Sequence, residues 1–286
     1  FVRSAYDLRA VGVEKAPKGP MLVAKVETRA AVENLEGIVE TAGAVMVARG
    51  DLGIEYPLSE LPHLQKHIIR RCIARGRPVI TATQMLESMV HASMPTRAEA
   101  SDVANAVFDG SSAVMLSGES AIGVDPVNAV ATMAEITGRA DEEFDHRAWA
   151  EDIRELRDDD TITDQKARGT DALTHAAWTV AEQTGAAAIV CISRTGFTSR
   201  KVTRFRPSVP ILACSPDPRV VRQLGLSWGT QASLSVERRS AEDAIADALA
   251  LAREQHGLHS GDQVVVISGM TGATRQTDTL QLISIP

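Results

Sequence analysis

Along the first half of the chain one phrase of apolar and polar positions recurs: a short β-branched apolar run, ending in residues with reactive side chains, followed by a longer segment of helical period. The runs are Met21–Glu27, Ala44–Asp51, Pro78–Thr83 and Ala113–Ser117. They recur at intervals of roughly 25 to 35 residues, the length of a β/α unit. The runs show little alternation, as expected of strands buried on both faces in a parallel sheet covered by helices. The pattern predicts a β/α barrel or a doubly wound sheet. Because Glu27, Asp51, Thr83 and Ser117 close their runs, the barrel, whose active sites lie at the carboxyl ends of strands, is the leading expectation. Four complete units are present where a barrel needs eight, and Phe1-Val2-Arg3 reads as the tail of an earlier strand.

From Asp141 to Arg168 the strand signal fades and the chain turns acidic, peaking at Asp158-Asp159-Asp160. This stretch reads as a helix and an exposed connection between domains. Beyond it a helix is predicted over Asp171–Gln183, strands over Ala187–Ser193 and Pro210–Ser215, a helix over Ala241–Gln255, and closing strands over Gln263–Ser268 and Thr279–Ile285. The expected organisation is a barrel segment over 1–140, a connection over 141–168 and a smaller α/β domain over 169–286.

Composition narrows the function classes. Of 286 residues, 44% are hydrophobic and 23% charged, which argues for folded globular domains. A formal net charge of −7 disfavours nucleic acid and anionic membrane, so a phosphate ligand needs a locally positive pocket. Cys72, Cys191 and Cys214 are odd in number and lack metal-type spacing, which suits a reducing compartment and no zinc. No apolar run approaches the ~20 residues of a membrane span, and no targeting segment is visible before the first strand.

Lys25 and Glu27 lie two apart in one strand and so project to one face. Asp51 ends the next strand. Two carboxylates from neighbouring strands without His or Cys are hard ligands suited to Mg²⁺ or Mn²⁺, and a lysine beside such an ion points to phosphate. Gly50 and Gly53 flank Asp51 and let backbone amides approach an anion such as a substrate carboxylate. Thr83 and Ser117 offer hydroxyls at the following strand ends. In the second domain, Ser193-Arg194-Thr195-Gly196-Phe197-Thr198-Ser199 joins a buried strand to a helix containing Arg200, Lys201, Arg204 and Arg206, a strand–turn–helix start that forms an anion cradle on a basic face.

The segments Lys25-Val26-Glu27, Met46 to Gly53, Thr81 to Met89, Pro95 to Glu99 and Met115 to Glu119 resemble the pyruvate kinase family in order and spacing, and Thr170 onward resembles its C-terminal regulatory domain. A departure is Thr28, where the family commonly has Asn. The resemblance implies the second half of a TIM-type (β/α)8 barrel followed by a smaller α/β regulatory domain. It implies Mg²⁺-dependent phosphoryl transfer from phosphoenolpyruvate to ADP, giving pyruvate and ATP in glycolysis. Lys25 would then neutralise the transferring phosphoryl group, while Glu27 and Asp51 hold Mg²⁺ or Mn²⁺. Gly50 and Asp51 amides, with Arg49 and Thr83, would bind the substrate, and Thr83 or Ser117 would relay a proton. Ser193, Thr195, Gly196 and Thr198 would grip the phosphate of a metabolite effector. K⁺ ligands, the first barrel strands and a lid would lie outside this chain, so a polypeptide truly beginning at Phe1 is expected to be inactive alone. A cytoplasmic homotetramer is also implied. Two other functions fit these residues: a Mg²⁺-dependent pyruvate-enolate aldolase on a related barrel, and a noncatalytic effector-binding fragment or subunit.

Overall fold

The computed structural model describes residues 1–158, 165–238, 240–269 and 277–286. Asp159 and Asp160 of the acidic stretch lie outside the described residues. The chain divides into two compact units, Phe1–Asp145 and His146–Pro286.

In the first unit β1 (Val23–Val26), β2 (Ala44–Ala48), β3 (Val79–Ala82) and β4 (Ala113–Met115) form one parallel sheet in sequence order. Lys25 pairs with Met46, Val47 with Thr81 and Ala82 with Met115. Parallel neighbours in sequence order, each joined by helix, make a barrel-like wall. All four strands therefore deliver their carboxyl ends to one rim. Ala24, Val26, Val45, Val47, Val79 and Ala82 are fully buried, which explains the unalternating apolar runs. Helix Arg97–Phe108 opens on a capping box, Thr96 accepting from the Glu99 amide while the Glu99 carboxylate returns to the Thr96 amide.

The second unit has strand order β7-β6-β5-β8-β9, built from β5 (Ala188–Ile192), β6 (Ile211–Ser215), β7 (Thr230–Leu234), β8 (Gln263–Ser268) and β9 (Thr279–Ser284). Only β9 runs antiparallel, against β8. Helix Ala241–His256 buries Ile245, Ala248, Leu249 and Ala252 on one face of the sheet. Ala177 and Ala181 of helix Gln165–Thr184 pack with Val202 in the other core cluster. This is a three-layer α/β unit.

Three sequence expectations change. Phe1-Val2-Arg3 forms no strand. The polar edge strand β7, Thr-Gln-Ala-Ser-Leu, carries too weak an apolar signal to be read from the sequence. The stretch 141–168 is not simply a connection: residues through Asp145 belong to the first unit, and helix His146–Asp158 packs in the second with Trp149, Ala150 and Ile153 buried. The cysteines are free thiols, and burial pushes that of Cys191 up to about 12.

Candidate functional site

Lys25 stands in β1 and Glu27 one residue beyond the strand, 3% exposed. Asp51 was expected to end β2. It occupies instead the first turn of helix Arg49–Glu55, which begins directly after Ala48. The two elements bring all three side chains together. Lys25 Nζ donates to Asp51 Oδ2 at 2.8 Å and also pairs with Glu27 Oε2. Glu27 thus faces the Lys25 ammonium, yet neither of its oxygens receives a hydrogen bond of good geometry. A buried carboxylate in that condition is an electrostatic sink for positive charge. The contact with Asp51, then the ion pair with Glu27, hold the Lys25 ammonium above its ordinary pKa. The same contact to Lys25 holds Asp51 below the usual carboxylate range.

The next strand end meets this cluster through Thr83. Its Oγ1 accepts the Gly50 amide at 2.8 Å. The Thr83 hydroxyl proton must therefore point elsewhere, leaving Thr83 a donor. Thr83 and Gln84 both sit at positive φ, 70° and 55°. Two successive non-glycine residues there cost on the order of 1–3 kcal/mol each and persist only when surroundings hold them.

Arg49 does the holding. Its Nη2 and Nε donate to the Thr83 carbonyl at 2.7 and 3.2 Å, and Nη2 reaches the Gln84 carbonyl at 3.2 Å. Nη1 donates to Asp102 at 2.6 Å. Arg49, expected among the substrate-binding residues, has its guanidinium turned into the protein, with the side chain only 12% exposed.

At β4 the expected Ser117 is engaged through its backbone. Glu119, 1% exposed, accepts the Ser117 amide at 2.8 Å and the Leu86 amide at 3.0 Å, tying two rim loops together. Sequence reasoning missed Glu119, although a carboxylate two residues after a strand-end serine was a usable signal. It also missed Gln65 and Asp102, which lie on helices distant in sequence, and Asp109, which caps the second of those helices. Among the described residues no group of three or more His, Cys, Asp or Glu converges as a metal site. A cation at Glu27 and Asp51 thus needs further ligands from water or substrate.

In the second unit the turn after β5 places Gly196 at φ 70°, ahead of helix Phe197–Val202. Arg200 Nη2 donates to the Thr195 carbonyl at 2.7 Å, and the Ser193 amide donates to Cys214 O at 3.0 Å. The Thr198 hydroxyl is buried against that of Thr277, at 2.9 Å. Two of the four basic residues expected on the face beside this cradle are not on the surface: Arg204 and Arg206 are each 1% exposed. Arg204 pairs with Asp171 at 2.8 Å, and Arg206 lies over the rings of Trp228 and Trp149.

Two family models match the chain: pyruvate kinase, barrel domain, over residues 1–130, and pyruvate kinase, alpha/beta domain, over residues 171–283. The pyruvate kinase of Clostridium acetobutylicum is 38% identical over 99% of this chain and 59% of its own length. Pyruvate kinase 2 of a Synechocystis species is 41% identical over 99% of this chain and 46% of its own. A pyruvate kinase from Cryptosporidium parvum, solved by crystallography, superimposes with a TM-score of 0.88 at 33% identity, covering all of this chain and 57% of that one. The chain spans about half the length of the relatives it matches. Among the described residues no helix is long and apolar enough to cross a membrane.

Proposed function

The chain belongs to the pyruvate kinase family, and from that premise we propose that it carries the phosphoryl-transfer centre of an enzyme that moves phosphate from phosphoenolpyruvate to ADP, giving pyruvate and ATP. The observation behind this reading is the single ammonium of Lys25 held between carboxylates from two adjacent strand ends, on the rim of a parallel sheet. Glu27 and Asp51 fit a divalent cation. Both are hard oxygen donors within reach of one point charge, and Glu27 is buried without aligned donors. Mg²⁺ or Mn²⁺ bound there supplies charge stabilisation to phosphate and enolate oxygens.

The chain's own residues do the rest. Lys25 places a positive charge beside the phosphoryl group as it departs, when negative charge spreads over its oxygens and the enolate. The Thr83 hydroxyl, its oxygen anchored by the Gly50 amide, donates to the substrate carboxylate, which the Asp51 amide also serves, so that Gly50 acts through Thr83. Proton delivery to the enolate carbon runs through the Thr83 or Ser117 hydroxyl. Neither is acidic enough at neutral pH to act without a relay. Arg49 shapes this pocket rather than touching substrate. K⁺, a lid, cytoplasmic location and homotetrameric assembly belong to the same proposal, with the K⁺ ligands outside this chain. The loop Ser193, Thr195, Gly196 and Thr198 is proposed to take an effector phosphate, through its backbone and the Ser193 and Thr195 hydroxyls more than through the engaged Thr198.

Family membership and Lys25 favour transfer over enolate cleavage or a purely regulatory role. Manganese titration followed by electron paramagnetic resonance tests the centre. Glu27→Gln and Asp51→Asn should each weaken Mn²⁺ binding at least tenfold, and unchanged affinity in both would remove the cation site.

A further inference from the structure

We propose that Asp102 and the Gln65–Asp109 pair are positioning residues that act through Arg49. Together they keep the Thr83 hydroxyl, its oxygen held by the Gly50 amide, in register for the substrate carboxylate. The proposal rests on the reading just given and extends it to three residues that touch no reacting atom.

The geometry is a clamp with an anchor. One edge of the planar Arg49 guanidinium, Nε and Nη2, embraces the Thr83 carbonyl, and Nη2 also reaches the Gln84 carbonyl. That grip fixes the two carbonyls that accompany the positive φ angles. The other nitrogen, Nη1, is anchored by Asp102 of helix Arg97–Phe108 at 2.6 Å and faces Gln65 Oε1 of helix Leu61–Ala74 at 3.4 Å. Gln65 has no freedom to turn its amide: Nε2 donates to Asp109 Oδ2 at 2.9 Å, which leaves Oε1 toward the guanidinium. Gln65 and Asp109 are 6% and 8% exposed, and Lys66 pairs with the other Asp109 oxygen.

A charged, bidentate donor is worth most when its far side is held, because an unanchored arginine regains rotamer freedom. Releasing Nη1 lets the fork swing off the Thr83 carbonyl. The left-handed pair then has nothing to hold it, and relaxes. Thr83 Oγ1 moves with its backbone and lets go of the Gly50 amide, so the β2 and β3 rims lose that hydrogen bond along with the Arg49 contacts. The consequence falls on substrate binding first.

Asp102→Asn is the decisive variant, since Asp102 is 40% exposed and the change preserves its size. Gln65→Met is the second, removing the amide without the volume. Amide exchange at Gly50, read by NMR on the full chain, should lose at least tenfold protection in Asp102→Asn and about threefold in Gln65→Met. Steady-state kinetics of the enzyme that contains this chain should show KM for phosphoenolpyruvate raised about tenfold. KM for ADP and kcat should stay within threefold, and Tm within a few degrees. Asp102→Glu, which restores the carboxylate, should recover most of both effects. A purely structural role would lower Tm and the active fraction while leaving KM alone. Unchanged Gly50 protection in both variants overturns the clamp whatever the kinetics show, and lost protection with unchanged KM overturns its link to substrate. Absence of turnover in the parent would overturn the proposed function and not the clamp, which Gly50 exchange still decides.

Discussion

Replacing Asp171 with Asn removes one charge from the interior of the second unit and changes almost no volume. Asp171 is 7% exposed and its partner Arg204 is 1% exposed, their closest atoms 2.8 Å apart. Breaking a pair this deep by removing one partner costs about 3–5 kcal/mol, because the other charge stays behind without compensation. Arg204 keeps neutral acceptors, the Lys201 carbonyl at 2.8 Å and the Thr174 hydroxyl at 3.1 Å. The lower end, about 3 kcal/mol, is therefore expected, a large share of the 5–15 kcal/mol typical of a folded domain. For a unit near 150 residues this corresponds to a fall in Tm of roughly 6–12 °C. Trp149, Trp178 and Trp228 all lie in this unit, and Trp149 Nε1 donates to the Arg204 carbonyl at 2.9 Å, so tryptophan emission during guanidinium unfolding reports this unit. A loss under 1 kcal/mol at unchanged m-value would refute the reasoning, showing that Arg204 finds full compensation without its carboxylate.

Two further outcomes are expected. Burial lowers the pKa of His256 from its ordinary 6.5, so the unfolded chain binds the proton more readily. Its contribution to stability is complete above about pH 6.5 and is lost as pH falls below that value; the unfolding midpoint of the parent should drop between pH 7.5 and 5.5 by more than that of His256→Gln, and equal drops would exclude His256 as the cause. Thr195→Glu places a negative charge in the proposed effector cradle and should abolish activation by phosphorylated metabolites, a coupling of about 1–3 kcal/mol, with saturated turnover near that of the parent; full activation in that variant would make the loop an ordinary helix cap.

Much of the fold is legible in the sequence because fully buried strands announce themselves as apolar runs. β2, β5, β6 and β8, buried along nearly their whole length, coincide with such runs, whereas β7 alternates polar residues along a sheet edge and hides. Lys25, Glu27, Asp51 and Thr83 are legible as a constellation because a parallel sheet sends every strand end to one rim. What surrounds them is not. Arg49 reaches Asp102 across 53 positions and Gln65 reaches Asp109 across 44, contacts that no local period encodes. Arg204 and Arg206 mislead in the opposite direction: arginines in a helical run suggest a wet basic face, and only the fold supplies Asp171 and two indole rings that let them be buried.

In the proposed centre Lys25 supplies charge to the departing phosphoryl group while Glu27 and Asp51 hold the cation. Turnover of phosphoenolpyruvate and ADP by the enzyme that contains this chain, compared with its Lys25→Met variant at saturating Mn²⁺, tests it most directly. The expected result is a fall in kcat of at least a thousandfold, about 4 kcal/mol of transition-state stabilisation, with Mn²⁺ affinity within threefold of the parent; turnover within tenfold of the parent would show that Lys25 does not have this role.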